Sequence, residues 1–149
     1  MRALLDVNVL VALLDGTHLH HRMATRWLAA NVRHGWASCP LTQNGCVRIL
    51  SMPAYRNAQT PAAVADRLAQ ATADKCHAFW PDSVSALEPG RLRWDHVLTS
   101  RQTTDVYLLA LAVANGGRLV TLDRGITLKA VSGAGPKHLV ALGRESALP

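Results

Sequence analysis

Apolar residues arrive along this chain in short blocks with polar punctuation, and the type of block alternates. Residues 2–6 hold the run Ala3-Leu4-Leu5 and end on Asp6, which reads as a short buried strand. Val7–Leu14 stays apolar up to the turn signal Asp15-Gly16 and reads as a short helix. Residues 20–32 place Met23, Trp27 and Ala30 on one face and Arg22 and Arg26 elsewhere, an amphipathic helix that Gly35 stops. Residues 36–39 form a strand broken by Pro40, and residues 41–50 a helix with Thr42 as its N-cap. Thr60-Pro61 starts another helix, with Val64, Leu68 and Ala71 on a shared face. A strand follows at 77–80. Residues 82–100 carry no clear period. Thr103-Thr104-Asp105 opens a strong helix that Gly116-Gly117 closes, and strands follow at 118–122 and 138–142. Residues 126–131 are ambiguous, and the last few residues read as loose.

Strands alternating with helices predict an α/β fold. The expected architecture is a three-layer sandwich with a mainly parallel central sheet, forming one domain over residues 1–149. Such sheets build their sites at the carboxyl ends of the strands.

Composition narrows the class. The chain has 149 residues, 49% hydrophobic and 17% charged, which excludes a disordered chain and supports a core without disulfides. Sixteen Lys and Arg against ten Asp and Glu give a net charge of +6, so a polyanion, nucleic acid first, is the expected partner. Cys39, Cys46 and Cys76 form no CxxC pair and suit free thiols in a reducing cytoplasm. Asp6 and Asn8 interrupt the first apolar run, so no signal peptide is expected. The longest run, 9–14, is far short of a membrane span. A cytoplasmic protein without membrane contact is the expectation.

With so few acids, their positions matter. Asp6 ends the first strand, Asp123 ends a later one, and Asp105 stands in the first turn of the helix between them. Singly they read as a helix cap, a turn residue and a helix-start residue. Jointly they occupy the rim where such a sheet builds its site. Three carboxylates brought together repel one another unless a divalent cation such as Mg²⁺ or Mn²⁺ joins them.

These segments resemble the PIN-domain nucleases, specifically the VapC-type toxins of bacterial toxin–antitoxin pairs. Leu4-Leu5-Asp6-Val7-Asn8-Val9-Leu10 is similar to the first acidic motif of that family. Thr104-Asp105-Val106-Tyr107-Leu108-Leu109-Ala110-Leu111-Ala112 is similar to the central helix motif, and Leu119-Val120-Thr121-Leu122-Asp123 to the last acidic motif. The resemblance implies a metal-dependent endoribonuclease toxin that hydrolyses RNA, tRNA or rRNA, leaving 5′-phosphate and 3′-hydroxyl ends. It also implies a cognate antitoxin and a homodimer. Asp6, Asp105 and Asp123 would be the catalytic and metal-holding residues, with Asn8, Asn44, Thr104 and Thr121 supporting them. The family places a Glu on the helix after the second strand. Here that stretch reads Thr42-Gln43-Asn44-Gly45-Cys46-Val47-Arg48, with the expected Glu falling at Gly45 or at Asn44, of which Asn44 is favoured because its amide oxygen can ligate. The missing acid also fits an alternative, a non-catalytic PIN-like RNA-binding module.

Thirteen of the sixteen basic residues are Arg, which suits bidentate phosphate contacts. Arg22, Arg48, Arg101 and Arg124 are the candidates for RNA contact. His18, His20 and His21 lack the second Cys/His pair a zinc site needs. No GxGxxG or Walker motif is present. The Asp-x-Asn opening falls short of the paired-Asp motif of a haloacid dehalogenase-type phosphotransferase.

Overall fold

The computed structural model describes residues 1–143. Five strands form one all-parallel sheet: β1 (Ala3–Leu5), β2 (Trp36–Ser38), β3 (His77–Phe79), β4 (Arg118–Thr121) and β5 (Leu139–Ala141), in the order β3-β2-β1-β4-β5. The helices are α1 (Val7–Leu14), α2 (His21–Asn31), α3 (Pro40–Leu50), α4 (Pro61–Thr72) and α5 (Gln102–Ala114). Parallel neighbours need crossovers, and the helices supply them on both faces.

The period of two along each strand sorts the core into layers. Leu4, Ala37 and Leu119 face α5, where Val106 and Leu108–Ala112 are buried. Ala3, Leu5, Trp36 and Val120 face the other way, onto α1 to α4 with Val9, Leu10, Ala24, Cys46, Leu50, Val64 and Leu68. A helix apolar on nearly every side, as α5 is from 108 to 112, belongs inside a domain. The patternless stretch 82–100 packs against α5 through Val84 and Leu92, and Leu92 makes an isolated antiparallel bridge to Val131.

The predicted elements occur in the predicted order, with shifted ends. Thr42 is not the N-cap of α3. Pro40 takes the first helical position and Cys39 the cap, while the Thr42 hydroxyl accepts from the Cys39 N–H at 3.0 Å and donates to the Cys39 carbonyl at 3.1 Å. A proline that ends a strand can start a helix one residue later, because its missing N–H is not needed there. Thr60 does cap α4, its hydroxyl accepting from the Ala63 N–H. Residues 126–131 contain only a 3₁₀ turn, Leu128–Ala130. The loose final residues lie outside the described part.

Candidate active site

β1 and β4 are neighbours, so Asp6 and Asp123 leave the sheet at the same edge. Asp6 serves as N-cap of α1: one carboxylate oxygen accepts from the Val7 N–H at 2.6 Å. The other accepts from the Thr121 hydroxyl, also at 2.6 Å. That hydroxyl is itself an acceptor for the Asn8 side-chain amide at 3.2 Å and the Asp123 N–H at 3.0 Å. Asn8 closes the loop by accepting from the Leu122 N–H at 3.1 Å. Asp6 and Thr121 are both buried. Asp123 turns back on itself, its carboxylate accepting from the Gly125 N–H at 2.6 Å.

Asp105 projects from the first turn of α5 and has no such support. Burial first, then the charges of Asp6 and Asp123, push its carboxyl up to about 6. Burial also raises Asp6, with Asp123 adding to it, against the lowering pull of the bonds from Thr121 and Val7. The three carboxylates therefore feel one another. Among the described residues no three His, Cys, Asp or Glu side chains already converge as a ready ligand set. A metal-free acidic set has reason to stay apart, and Mg²⁺ needs only one or two carboxylates with water completing its shell. The donor set, all hard oxygen and mutually repelling, fits such a cation.

An open cleft of about 610 Å³ adjoins this group, lined by Asp6, Asn8, Asn44, Arg48, Thr104 and Asp105 among others. On α3, Gly45 packs closely against α1: a Cβ there would lie 2.7 Å from a Val7 methyl, so a larger residue at this position needs Val7 to shift. Asn44, the polar residue before it, is exposed on the cleft wall. Thr104 lines the cleft in the first turn of α5, two residues beyond that helix's first position.

Of the four candidate arginines, only Arg48 lines this cleft. Arg101 is the N-cap of α5, and Arg22 is exposed on α2. Arg124 turns toward the Gly143 carbonyl and lines a separate groove with Ile126 and Leu139. The reason is topological, since strand ends gather in space and basic helix faces do not. Asp82 is the residue the sequence reading missed. It lies just past β3 and lines the same cleft. It obeys the carboxyl-end rule but stands in a stretch with no period to flag it. The histidines make no metal site among the described residues; His21 accounts for one ring nitrogen at the Ala12 carbonyl, 2.8 Å away. All three cysteines are free, and burial pushes the Cys46 thiol up to about 11.

Known proteins match this arrangement along most of the chain. The PIN domain family model matches residues 3–132. Ribonuclease VapC44 of Mycobacterium tuberculosis is 49% identical over 142 residues, covering 95% of this chain and all of the relative. Ribonuclease VapC39 of the same organism is 42% identical over 134 residues, covering 89% and 96%. Among solved structures, VapBC2 from Rickettsia felis bound to a DNA fragment from its promoter superposes with a TM-score of 0.66, at 15% identity, over 96% of this chain and 100% of that one. Mycobacterium tuberculosis VapC20, a Sarcin-Ricin loop cleaving toxin, superposes with a TM-score of 0.56, at 12% identity, over 78% and 85%. At those identities the two structures establish the fold, while the family model and the close relatives establish kinship: the chain belongs to the PIN domain family and groups there with the VapC ribonucleases.

Proposed function

We propose that this chain is an RNA-cleaving toxin of the VapC kind, neutralised by a VapB-type antitoxin, and that it hydrolyses phosphodiester bonds with a bound Mg²⁺ or Mn²⁺. What supports the metal is the grouping of Asp6, Asp105 and Asp123 at the carboxyl end of the sheet beside an open cleft, near enough for the charges of Asp6 and Asp123 to add to burial in raising the Asp105 carboxyl. When bound, such a cation would polarise a phosphoryl oxygen and activate water for in-line attack. Asp6, Asp105 and Asp123 would hold it. The Thr121 hydroxyl and the Asn8 amide fix the rotamers of the strand-end acids, as supporting hydrogen bonds do around metal ligands. Arg48 on the cleft wall meets a phosphate of the substrate. Water adds its oxygen to phosphorus and gives up a proton, the bond from phosphorus to the 3′ oxygen breaks, and that oxygen takes up a proton and leaves as the 3′-hydroxyl.

Asn44, with Thr104, faces the substrate or a water on the cation. A neutral amide on α3 weakens cation binding relative to a carboxylate, and this is the one feature favouring the alternative of a PIN-like module that binds RNA without cutting it. The protein acts in the cytoplasm as a homodimer; no helix among the described residues is long and apolar enough to cross a membrane.

Mapping RNA 5′ ends after induced expression tests the reading. New 5′-phosphate ends in tRNA or rRNA are expected with the native chain and absent with Asp105→Asn. Tight RNA binding by purified protein without any cleavage in Mg²⁺ supports the non-catalytic module instead.

A further inference from the structure

Outside the cleft, α2 carries basic residues that the chemistry above does not use. Its sequence holds no Asp or Glu. Ala24 is buried and Met23, Trp27 and Leu28 pack into the core beneath the sheet, so Arg22 and Arg26, one turn apart, stand on the outer side and are exposed. Arg33 is exposed in the 3₁₀ turn that prolongs the helix.

Both ends of this row join other cations. At the far end the Arg118 guanidinium lies over the Trp27 ring, 5.2 Å from its centroid, and donates to Asn31 at 2.9 Å. His34 is held below its usual range by desolvation and then by the α-amino group, Arg33 and Arg118, so each of these positive charges stands near His34. At the near end a Cβ on Gly143 would lie 3.0 Å from the Arg124 guanidinium and 3.7 Å from the Met23 methyl, so the first turn of α2 adjoins Arg124, the residue after Asp123. None of these arginines pairs with a carboxylate among the described residues, where the salt bridges are Arg91–Glu88 and His96–Asp95.

We infer that Arg22, Arg26 and Arg33, continued by Arg118, form a track for the phosphate backbone of the RNA substrate, leading away from the Asp123 side of the active site. The inference rests on the ribonuclease reading. Cations gathered along one face with no carboxylate partner among the described residues cost repulsion that a polyanion removes, and guanidinium groups match phosphate oxygens in pairs. The turn-by-turn spacing of Arg22 and Arg26 suits successive phosphates of a single strand. An acidic protein segment is the competing occupant. The row's continuity with Arg124 and the active-site edge favours RNA.

The test is the salt dependence of binding of the full chain to polyadenylate of short and long length, in EDTA so that nothing is cut. Three phosphate contacts on a single strand contribute a slope of about 2 in log K against log salt. The triple variant R22Q/R26Q/R33Q is expected to lose about that much slope, and to lose more affinity for long strands than for short ones. The triple Lys variant is expected to keep the slope, which controls for folding. An unchanged slope overturns the track, as does an equal loss of affinity for polyglutamate. Because binding is read without metal, failure of the chain to cut RNA in Mg²⁺ would sink the ribonuclease reading separately.

Discussion

The Thr121 hydroxyl donates to the Asp6 carboxylate at 2.6 Å while accepting the Asp123 backbone N–H at 3.0 Å, so one buried hydroxyl ties together the two acids that end neighbouring strands. Thr121→Val keeps the shape and removes the hydroxyl. It leaves Asp6 short of a donor and the Asp123 N–H and Asn8 amide short of an acceptor. Groups buried without partners cost about 1–3 kcal/mol. Urea unfolding is expected to show a loss in that range, with a fall in cleavage rate of at least tenfold. Thr121→Ser keeps all three bonds and is expected to keep most of both. Equal behaviour of the two variants would contradict this role.

The raised carboxyl of Asp105 makes stability depend on pH with a definite sign. With its folded value at about 6 and an unfolded value of about 3.9, the folded chain binds more protons between those limits, so stability falls as pH rises through that window. Asp6 is raised and acts in the same direction. Asp15, lowered by its bond from Tyr55, and Asp74, lowered by the Cys76 N–H, act oppositely at lower pH. Melting of metal-free protein from pH 4 to 7 is expected to fall more steeply for the native chain than for Asp105→Asn, with the curves meeting near pH 4. Mg²⁺ at pH 7 is expected to raise the melting point of the native chain and to do little for the variant. Superimposable profiles would show that Asp105 is not under this strain.

Position 45 gives a packing prediction. Ala is favoured over Gly in a helix by about 1 kcal/mol, but a Cβ there meets a Val7 methyl at 2.7 Å. Overpacking costs about 1–3 kcal/mol. Gly45→Ala is therefore expected to be destabilising on balance, by about 1 kcal/mol in urea unfolding. In a Val7→Ala background the same substitution is expected to be neutral or stabilising. A stabilising effect in the native background would mean that α1 and α3 do not approach this closely.

Asn44 is exposed on the cleft wall, so Asn44→Glu costs no packing and adds a carboxylate there. Mn²⁺ binding is expected to tighten several-fold, with stability unchanged within about 0.5 kcal/mol. Unaltered Mn²⁺ affinity would place Asn44 out of reach of the cation.

The layered fold and the placement of Asp6 and Asp123 at neighbouring strand ends were legible because period and punctuation agree with tertiary burial. Ala3-Leu4-Leu5 and Leu119-Val120-Thr121 are strand segments buried on both faces, and in a parallel sheet their ends are close wherever the strands are neighbours. The α3 start was misread because Pro40 both stops β2 and opens the helix, moving the cap to Cys39, a residue with weak capping preference. Asp82 went unseen because the loop that carries it follows no period. The positions of the arginines were not legible: a charge on a helix face reveals its direction only once the opposite face is known to be buried, and the fold puts Arg48 on the cleft wall and Arg22 on the outer side of α2. Asp6→Asn also disturbs the local hydrogen bonding, since both carboxylate oxygens accept hydrogen bonds and an amide can accept through only one.

The central claim is that Asp6, Asp105 and Asp123 share one divalent cation. Mn²⁺ titration followed by electron paramagnetic resonance, on the native chain and on Asp6→Asn, Asp105→Asn and Asp123→Asn, tests it most directly. One saturable site is expected in the native chain, weakened at least tenfold in each variant while circular dichroism shows the fold retained. Native affinity in the Asp105→Asn and Asp123→Asn variants would contradict it.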